Sequence, residues 1–169
     1  MIKNAKNLVE NALKIFEENS INDGITGIAS GFKKLDELTY GWQSGDLIVI
    51  AGRPGMGVKS FAMSMVKNIA IDNNEAVALF STQSTAHHHI TKMISSITGL
   101  STYKLNRGRL EPCEWQRMNL KLNQLSNSPL YIKDTLLSFS DFKMEVTNLV
   151  RNKNVKIIVC DEPTGNLDE

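Results

Sequence analysis

The segment "GRPGMGVKS", residues 52–60, is the strongest indication of the fold in this sequence. A phosphate-binding loop usually reads Gly, four residues, then Gly-Lys-Ser/Thr. The two outer glycines keep that spacing, but Val58 stands in the lysine position, and Lys59 and Ser60 follow one position late. The pattern predicts a loop built to hold phosphate, with its cationic side chain displaced.

The flanking residues strengthen this interpretation. The apolar run "DLIVIA" (46–51) suits a central parallel strand covered on both faces, and a helix is expected over 59–72. A glycine loop between a strand and a helix points its amides and the helix N-terminus at an anion. The predicted nucleotide-binding residues are Gly52, Arg53, Pro54, Gly55, Met56, Gly57, Val58, Lys59 and Ser60.

The shifted lysine leaves two registers open. A shift of one residue turns a helical side chain by about 100°, which would put Lys59 in the hydroxyl position and Val58 in the lysine position. A local bulge would instead restore the register. Lys59 and Ser60 would then take the two usual roles, with Ser60 serving Mg²⁺ through the nucleotide.

The rest of the chain alternates between strand and helix patterns. Apolar runs predict strands over 76–81 and 155–161, and Pro112 opens a predicted helix over 112–126. A further helix is expected from Ser138 to about Arg151, with a capping-box spacing at its start. This order predicts an α/β fold with a mostly parallel sheet flanked by helices.

The second acid-bearing segment is "IIVCDEPTGNLDE" (157–169). Asp161 closes an apolar strand, which is where a ligand of Mg²⁺ belongs beside a phosphate loop. Glu162 follows directly and is a candidate to orient the attacking water. The alternative is a solvated acidic segment without a catalytic role.

The histidines and cysteines give weaker signals. "HHH" (87–89) predicts a surface or helix-start tract rather than a metal site, because adjacent helical residues do not face one point. Cys113 and Cys160 fit no metal spacing and predict buried free thiols in a reducing compartment.

Composition predicts a cytoplasmic globular protein. The chain has 169 residues, 41% hydrophobic content and a net charge of +1. This net charge is too small to indicate a nucleic-acid binder. The apolar runs are of strand length, and no membrane association is expected.

A separate amphipathic helix is predicted over 1–18, followed by the domain at 19–169. Its apolar stripe either packs on its own domain or docks on a neighbouring subunit. The stripe comprises Ala5, Leu8, Val9, Ala12, Leu13 and Phe16.

Taken together, the chain resembles the motor domain of bacterial replicative DNA helicases, the DnaB family. The segment "GITGIASGFKKLDELTYGWQSGDLIVIAGRPGMG" (24–57) resembles the family's lead-in to its nucleotide loop, which RecA-like relatives of the RadA and KaiC type share. More specific to the helicase are "YKLNRGRLEPCEWQRM" (103–118) and "SPLYIKDT" (128–135).

The resemblance implies a RecA-like P-loop NTPase fold, ATP with Mg²⁺, and a homo-oligomeric, hexameric ring on single-stranded DNA. It also implies primase and loader partners and makes helix 1–18 the linker helix that docks on the adjacent subunit. The family's DNA-contacting segments lie after the position of Glu169, so this chain alone is not expected to bind single-stranded DNA or unwind it.

The chain departs from the family where the chemistry lies. The family reads Gly-Lys-Thr in the loop and Ser-Leu-Glu-Met after the second strand, where "STQS" (81–84) puts Gln83 in the place of the glutamate that polarises water. The ending "DEPTGNLDE" resembles ABC-type transporter ATPases, whose aspartate serves Mg²⁺ and whose adjacent glutamate, here Glu162, is the base.

Three functions stay open on these grounds: an ATPase motor, a catalytically impaired scaffold or assembly module, and an ABC-like ATPase. The Leu-Ser-Gly-Gly-Gln signature that ABC ATPases need is missing from the sequence, which disfavours the third.

Overall fold

The computed structural model describes residues 4–21, 25–135 and 137–161, and the chain divides into two compact units, Met1–Ile48 and Val49–Glu169. The helices are α1 (Ala5–Ile21), α2 (Lys33–Thr39), α3 (Val58–Lys67), α4 (Ala86–Thr98), α5 (Thr102–Arg107), α6 (Pro112–Ser126) and α7 (Phe139–Lys153). The strands are β1 (Val77–Ser81), β2 (Leu130–Lys133) and β3 (Ile157–Asp161). A π-helical turn, Asn68–Asp72, continues α3.

The first unit contains α1 and α2. Buried Asp36 on α2 accepts hydrogen bonds from the backbone nitrogens of Ser30, at 2.7 Å, and Gly31, at 3.1 Å. An isolated antiparallel bridge joins Ile28 to Trp42. These local bonds fix the path of the chain on both sides of α2.

The second unit is built on a parallel sheet of strand order β2-β1-β3. Phe80 of β1 pairs with Lys133 on one side and with Cys160 on the other, and Ser81 pairs with Asp161. Because parallel strands end at the same edge, the carboxyl ends of all three lie together there.

The central strand β1 is buried along its whole length. Ala78 and Phe80 pack with Val155 in a cluster that α7 covers, where the rings of Phe80 and Phe142 meet edge to face at 4.9 Å. The alternate residues Val77 and Leu79 are equally buried. A strand with both faces covered explains the continuous apolar run in its sequence.

The predicted strand over 46–51 is wrong. The structure describes these residues without assigning them to a strand, and Leu47 is 91% and Val49 78% exposed. An apolar run shows only that a segment is suited to burial. A strand forms only when the backbone of a neighbouring segment pairs with it through hydrogen bonds. Strand β2, whose residues are only half-buried, has no counterpart among the predicted strands.

The predicted helices are confirmed with small shifts of their ends. The helix over 112–126 is found with those bounds, and α7 begins after Ser138, whose hydroxyl accepts a hydrogen bond from the Asp141 nitrogen at 3.2 Å. The N-terminal amphipathic helix is α1, and the helix expected over 59–72 is α3 with its π-helical turn.

The expectation of two buried thiols is corrected. Both cysteines are free, but Cys113 is exposed on α6 and only Cys160 is partly buried. Burial raises the pKa of the Cys160 thiol. Among the described helices, none combines the length and apolar character needed to cross a membrane.

Candidate functional site

The glycine loop is an exposed turn that leads directly into α3. The Met56 nitrogen donates to the Arg53 oxygen at 3.1 Å, and Gly55 and Gly57 have φ angles of 81° and 83°. Only glycine adopts this left-handed conformation without strain. The loop therefore needs its glycines at these two positions.

Helix α3 starts in regular α-helical geometry after Gly57. The Phe61 nitrogen donates to the Gly57 oxygen at 2.9 Å, the spacing of an ordinary first helical turn. Gly57 is the N-cap and has no side chain to bond the first amides. A helix N-terminus left open behind a glycine loop is suited to binding an anion such as a phosphate.

Val58 packs against the opening residue of the loop. A Cβ atom placed on Gly52 would lie 2.7 Å from a methyl carbon of Val58. Val58 is stiff because it is branched at Cβ, so only glycine fits opposite it. The residue in the usual lysine position thus contacts the loop backbone and offers no charge to a ligand.

Lys59 reaches across to the end of the sheet. Its Nζ atom lies 2.7 Å from a carboxylate oxygen of Asp161 and donates to the Ser84 hydroxyl at 3.2 Å. The two charged side chains are 34% and 18% exposed. This pair connects the first turn of α3 with the last residue of β3.

Asp161 is also held by its strand neighbour. Ser81, its partner in the sheet register, donates its hydroxyl to the same carboxylate oxygen at 3.2 Å. A second carboxylate at this edge, Asp134 after β2, accepts a hydrogen bond from the Ala86 nitrogen at 2.6 Å and so caps α4. Of these two described carboxylates, Asp161 is therefore the one that contacts the first turn of α3, through Lys59.

The histidine tract opens α4, as the sequence predicted, but its members differ in exposure. His87 and His88 are exposed, whereas His89 is 1% exposed and neither of its ring nitrogens has a hydrogen-bond partner in the described part of the chain. Burial lowers the pKa of His89, and the Lys59 charge lowers it further against the opposing effect of Asp161. Burial thus favours the neutral form of the His89 imidazole.

The structure brings some of the predicted site residues together and not others. Lys59 and Asp161 are in contact, while Ser60 is exposed on α3 and Gln83 lies exposed in the connection between β1 and α4. Glu162 lies outside the described residues. The loop residues 52–57 are all exposed.

Three polar residues near the ion pair were not predicted, namely Ser81, Ser84 and His89. The two serines flank Gln83 within the quoted "STQS" motif, so their positions after β1 were a usable signal. The burial of His89 has no such signal, because a run of three histidines does not reveal which one faces inward.

The site as it stands does not fit Mg²⁺. A metal bound by Asp161 would lie beside the Lys59 ammonium, and unit charges about 4 Å apart interact by about 4 kcal/mol near a protein surface. The repulsion from a divalent ion would be about twice that.

The chain is similar to replicative helicases over most of its length. The model of the DnaB-like helicase C terminal domain family matches residues 27–162. The replicative DNA helicase DnaB of Geobacillus stearothermophilus is 34% identical over 161 residues, which are 94% of this chain and 36% of the relative. The replicative DNA helicase DnaC of Bacillus subtilis is 33% identical over 138 residues, 81% of this chain and 30% of the relative. The chain thus spans about a third of the length of these relatives.

Solved structures agree with this similarity. One of them, described as an ATPase domain, superposes with a TM-score of 0.80 at 28% identity, covering 96% of this chain and 61% of that one. A DnaB-like replicative helicase, described with its interactions with primase, gives a TM-score of 0.75 at 28% identity, covering 90% of this chain and 38% of that one. The predicted RecA-like arrangement of a parallel sheet flanked by helices is confirmed.

Proposed function

The chain belongs to the DnaB-like helicase C terminal domain family, and on this premise we propose that it is the ATP-binding and ATP-hydrolysing motor domain of a replicative DNA helicase. One observation carries the proposal. The open N-terminus of α3, behind an exposed glycine loop, lies next to Asp161 at the carboxyl edge of the sheet, and Lys59 joins the two. A polyphosphate binds where helix amides and a cation face the same space.

The residues divide into binding and catalytic roles. The backbone amides of the loop and of the first turn of α3 bind the phosphates, and the glycines let the backbone approach them. Glu162, directly after Asp161, is the proposed base that positions the attacking water. Gln83 occupies the position of the family's glutamate, but an amide does not accept a proton from water.

A second candidate is a catalytically impaired scaffold of the same domain. Two observations favour it, since Val58 places a methyl group on the loop backbone where a lysine is usual, and the ammonium of Lys59 is already bonded to Asp161. Such a protein would keep the fold and the assembly surfaces but turn over slowly.

The wider assembly is also proposed from the family. We infer a homo-oligomeric ring with primase and a helicase loader as partners, and single-stranded DNA as a ligand of full-length family members rather than of this chain alone. One structural neighbour is described with its interactions with primase, which supports the primase as a partner. A chain with a net charge of +1 gives little general attraction for DNA, so contacts to DNA would depend on a local patch.

Nucleotide titration separates the two candidates. An active motor domain binds ATP and releases phosphate, measured by calorimetry and by a phosphate-release assay, and Lys59→Met weakens ATP binding measured without Mg²⁺. The matched control is Lys67→Met, which removes a lysine from the other end of α3 and leaves binding unchanged. Tight binding without phosphate release favours the impaired scaffold, and the lack of any binding contradicts a nucleotide site.

A further inference from the structure

The positive charge next to the end of β3 is a side chain of the protein, the ammonium of Lys59. The Lys59 ammonium lies 2.7 Å from Asp161 and 3.2 Å from the Ser84 hydroxyl, and the Ser81 hydroxyl binds the same oxygen of Asp161. The ammonium is therefore bonded to one carboxylate and one hydroxyl, and a second hydroxyl, that of Ser81, binds the carboxylate. These are the hard oxygen ligands that a divalent metal ion takes in a protein.

The lysine belongs to the first turn of α3. Lys59 is the second residue of that helix, and its ammonium extends from there to the carboxylate of Asp161. An ammonium has three N–H donors, and in the described part of the chain two of them are used, by Asp161 and Ser84. The third donor can bind a phosphate oxygen.

We propose that the Lys59 ammonium takes the place of the divalent metal in this site, so that the chain binds the triphosphate of its nucleotide without Mg²⁺. The identity of the ligand as a nucleotide rests on the proposed function. The position of the ammonium at Asp161 does not depend on it. A tethered single charge neutralises the carboxylate and bridges it to a phosphate, as a metal would, and like-charge repulsion keeps the metal out.

The occupancy can be tested without nucleotide by the reactivity of the amine. Acetylation by acetic anhydride, followed peptide by peptide by mass spectrometry, measures how free each lysine is. Lys67 is the matched control, since it lies on the same helix, is paired with Asp72 at 3.2 Å and has a side chain 26% exposed against 34% for Lys59.

Millimolar Mg²⁺ should leave the acetylation rates of both lysines unchanged, and Asp161→Asn should raise the rate for Lys59 alone. Mg²⁺ that raises the Lys59 rate to the level of the Asp161→Asn variant, with Lys67 unaffected, would mean that the metal displaces the ammonium. That result overturns the inference.

Nucleotide binding gives the second measurement. The affinity of the unmodified chain for a fluorescent ATP analogue, read by anisotropy, should change by less than about threefold between Mg²⁺ and EDTA. Lys59→Met, which keeps the length of the side chain but removes its charge, should lose about tenfold or more in EDTA and recover with Mg²⁺.

The two failures are distinguishable. Absence of binding under every condition contradicts the proposed function, and the acetylation rates then decide the cation site alone. Binding by the unmodified chain that depends on Mg²⁺, with Lys59→Met unchanged, contradicts the inference and leaves the proposed function standing. Circular dichroism of Lys59→Met and Asp161→Asn checks that both variants are folded.

Discussion

The Nζ atom of Lys59 lies 2.7 Å from a carboxylate oxygen of Asp161, which ties the residue after the displaced valine to the acid that ends β3. Both side chains keep part of their contact with solvent, and such pairs contribute about 1 kcal/mol or less to stability. The importance of the pair lies in its position, because the charge of Lys59 repels other cations from the site and attracts anions to it.

Restoring the usual loop should strengthen binding of Mg-ATP. In the double variant Val58→Lys, Lys59→Thr, a lysine regains the position that faces the β- and γ-phosphates, and the ammonium leaves Asp161. Hydrogen bonds to charged groups contribute about 1.5–3 kcal/mol each, so a gain of about tenfold or more is expected by calorimetry. The control Val58→Leu, Lys59→Thr removes the cation without restoring it. Equal affinity of the original and the repaired chains would favour the bulged register instead.

The catalytic base should be Glu162. In the repaired background, Glu162→Gln should abolish most phosphate release, because an amide cannot accept the proton of the attacking water. Gln83→Glu should change the rate little. Turnover that survives Glu162→Gln and rises sharply with Gln83→Glu would place the base after β1, at the family's position.

A methyl group at the start of the loop should be tolerated only when Val58 is shortened. Gly52→Ala places a Cβ atom 2.7 Å from the Val58 methyl, and overpacking of this kind costs about 1 kcal/mol or more. Urea unfolding should show that loss for Gly52→Ala alone and a smaller loss in the Val58→Ala background. Additive effects of the two changes would mean that the contact is not present in solution.

Acid should destabilise the domain through His89. Its pKa is lowered in the folded protein. Below the ordinary value of about 6.5, the unfolded chain therefore binds a proton at this residue more readily than the folded chain does. The free energy of unfolding then decreases as the pH is lowered, by up to about 1.4 kcal/mol per pH unit. The charges that act on this ring are Lys59, Asp161, His88 and Lys92.

The variant His89→Leu should flatten the dependence of unfolding free energy on pH between about 5 and 7. Because the ring nitrogens have no partner among the described residues, leucine should not leave a broken hydrogen bond. His87→Gln, an exposed neighbour, serves as the control and should keep the original dependence. A slope retained in His89→Leu would assign the acid sensitivity to another group.

Helix α1 should promote self-association. Its side chains at Leu8, Val9, Leu13 and Phe16 are 47–65% exposed, an apolar stripe that gains by contact with another surface. Removing residues 1–18, or changing Leu13 and Phe16 to alanine, should reduce association in sedimentation velocity, with Lys14→Ala as the control. Loss of folding on deletion would assign the helix to the core of its own chain.

Local signals predicted four of the longer helices, missed the short helices α2 and α5, and predicted the sheet only in part. The starts of α6 and α7 follow from Pro112 and Ser138, which act within one turn of their own position. The run 46–51 misled because pairing of strands depends on distant residues. In the same way, the sequence indicated Asp161 as a site residue but could not indicate that Lys59 would bond to it, since that contact is made by tertiary structure.

The burial of β1 has a consequence for hydrogen exchange of the backbone amides. All five of its residues are buried and it is hydrogen-bonded along both edges, so its amides exchange with deuterated solvent only when the whole sheet opens. Residues 52–57 are exposed, and amides of such loops exchange through small local openings. Asp161 pairs in register with Ser81 of that strand, whereas Lys59 lies in the first turn of α3, directly after the loop. We therefore expect the ion pair to join a helix turn beside a locally opening loop to a sheet that opens only with the whole domain.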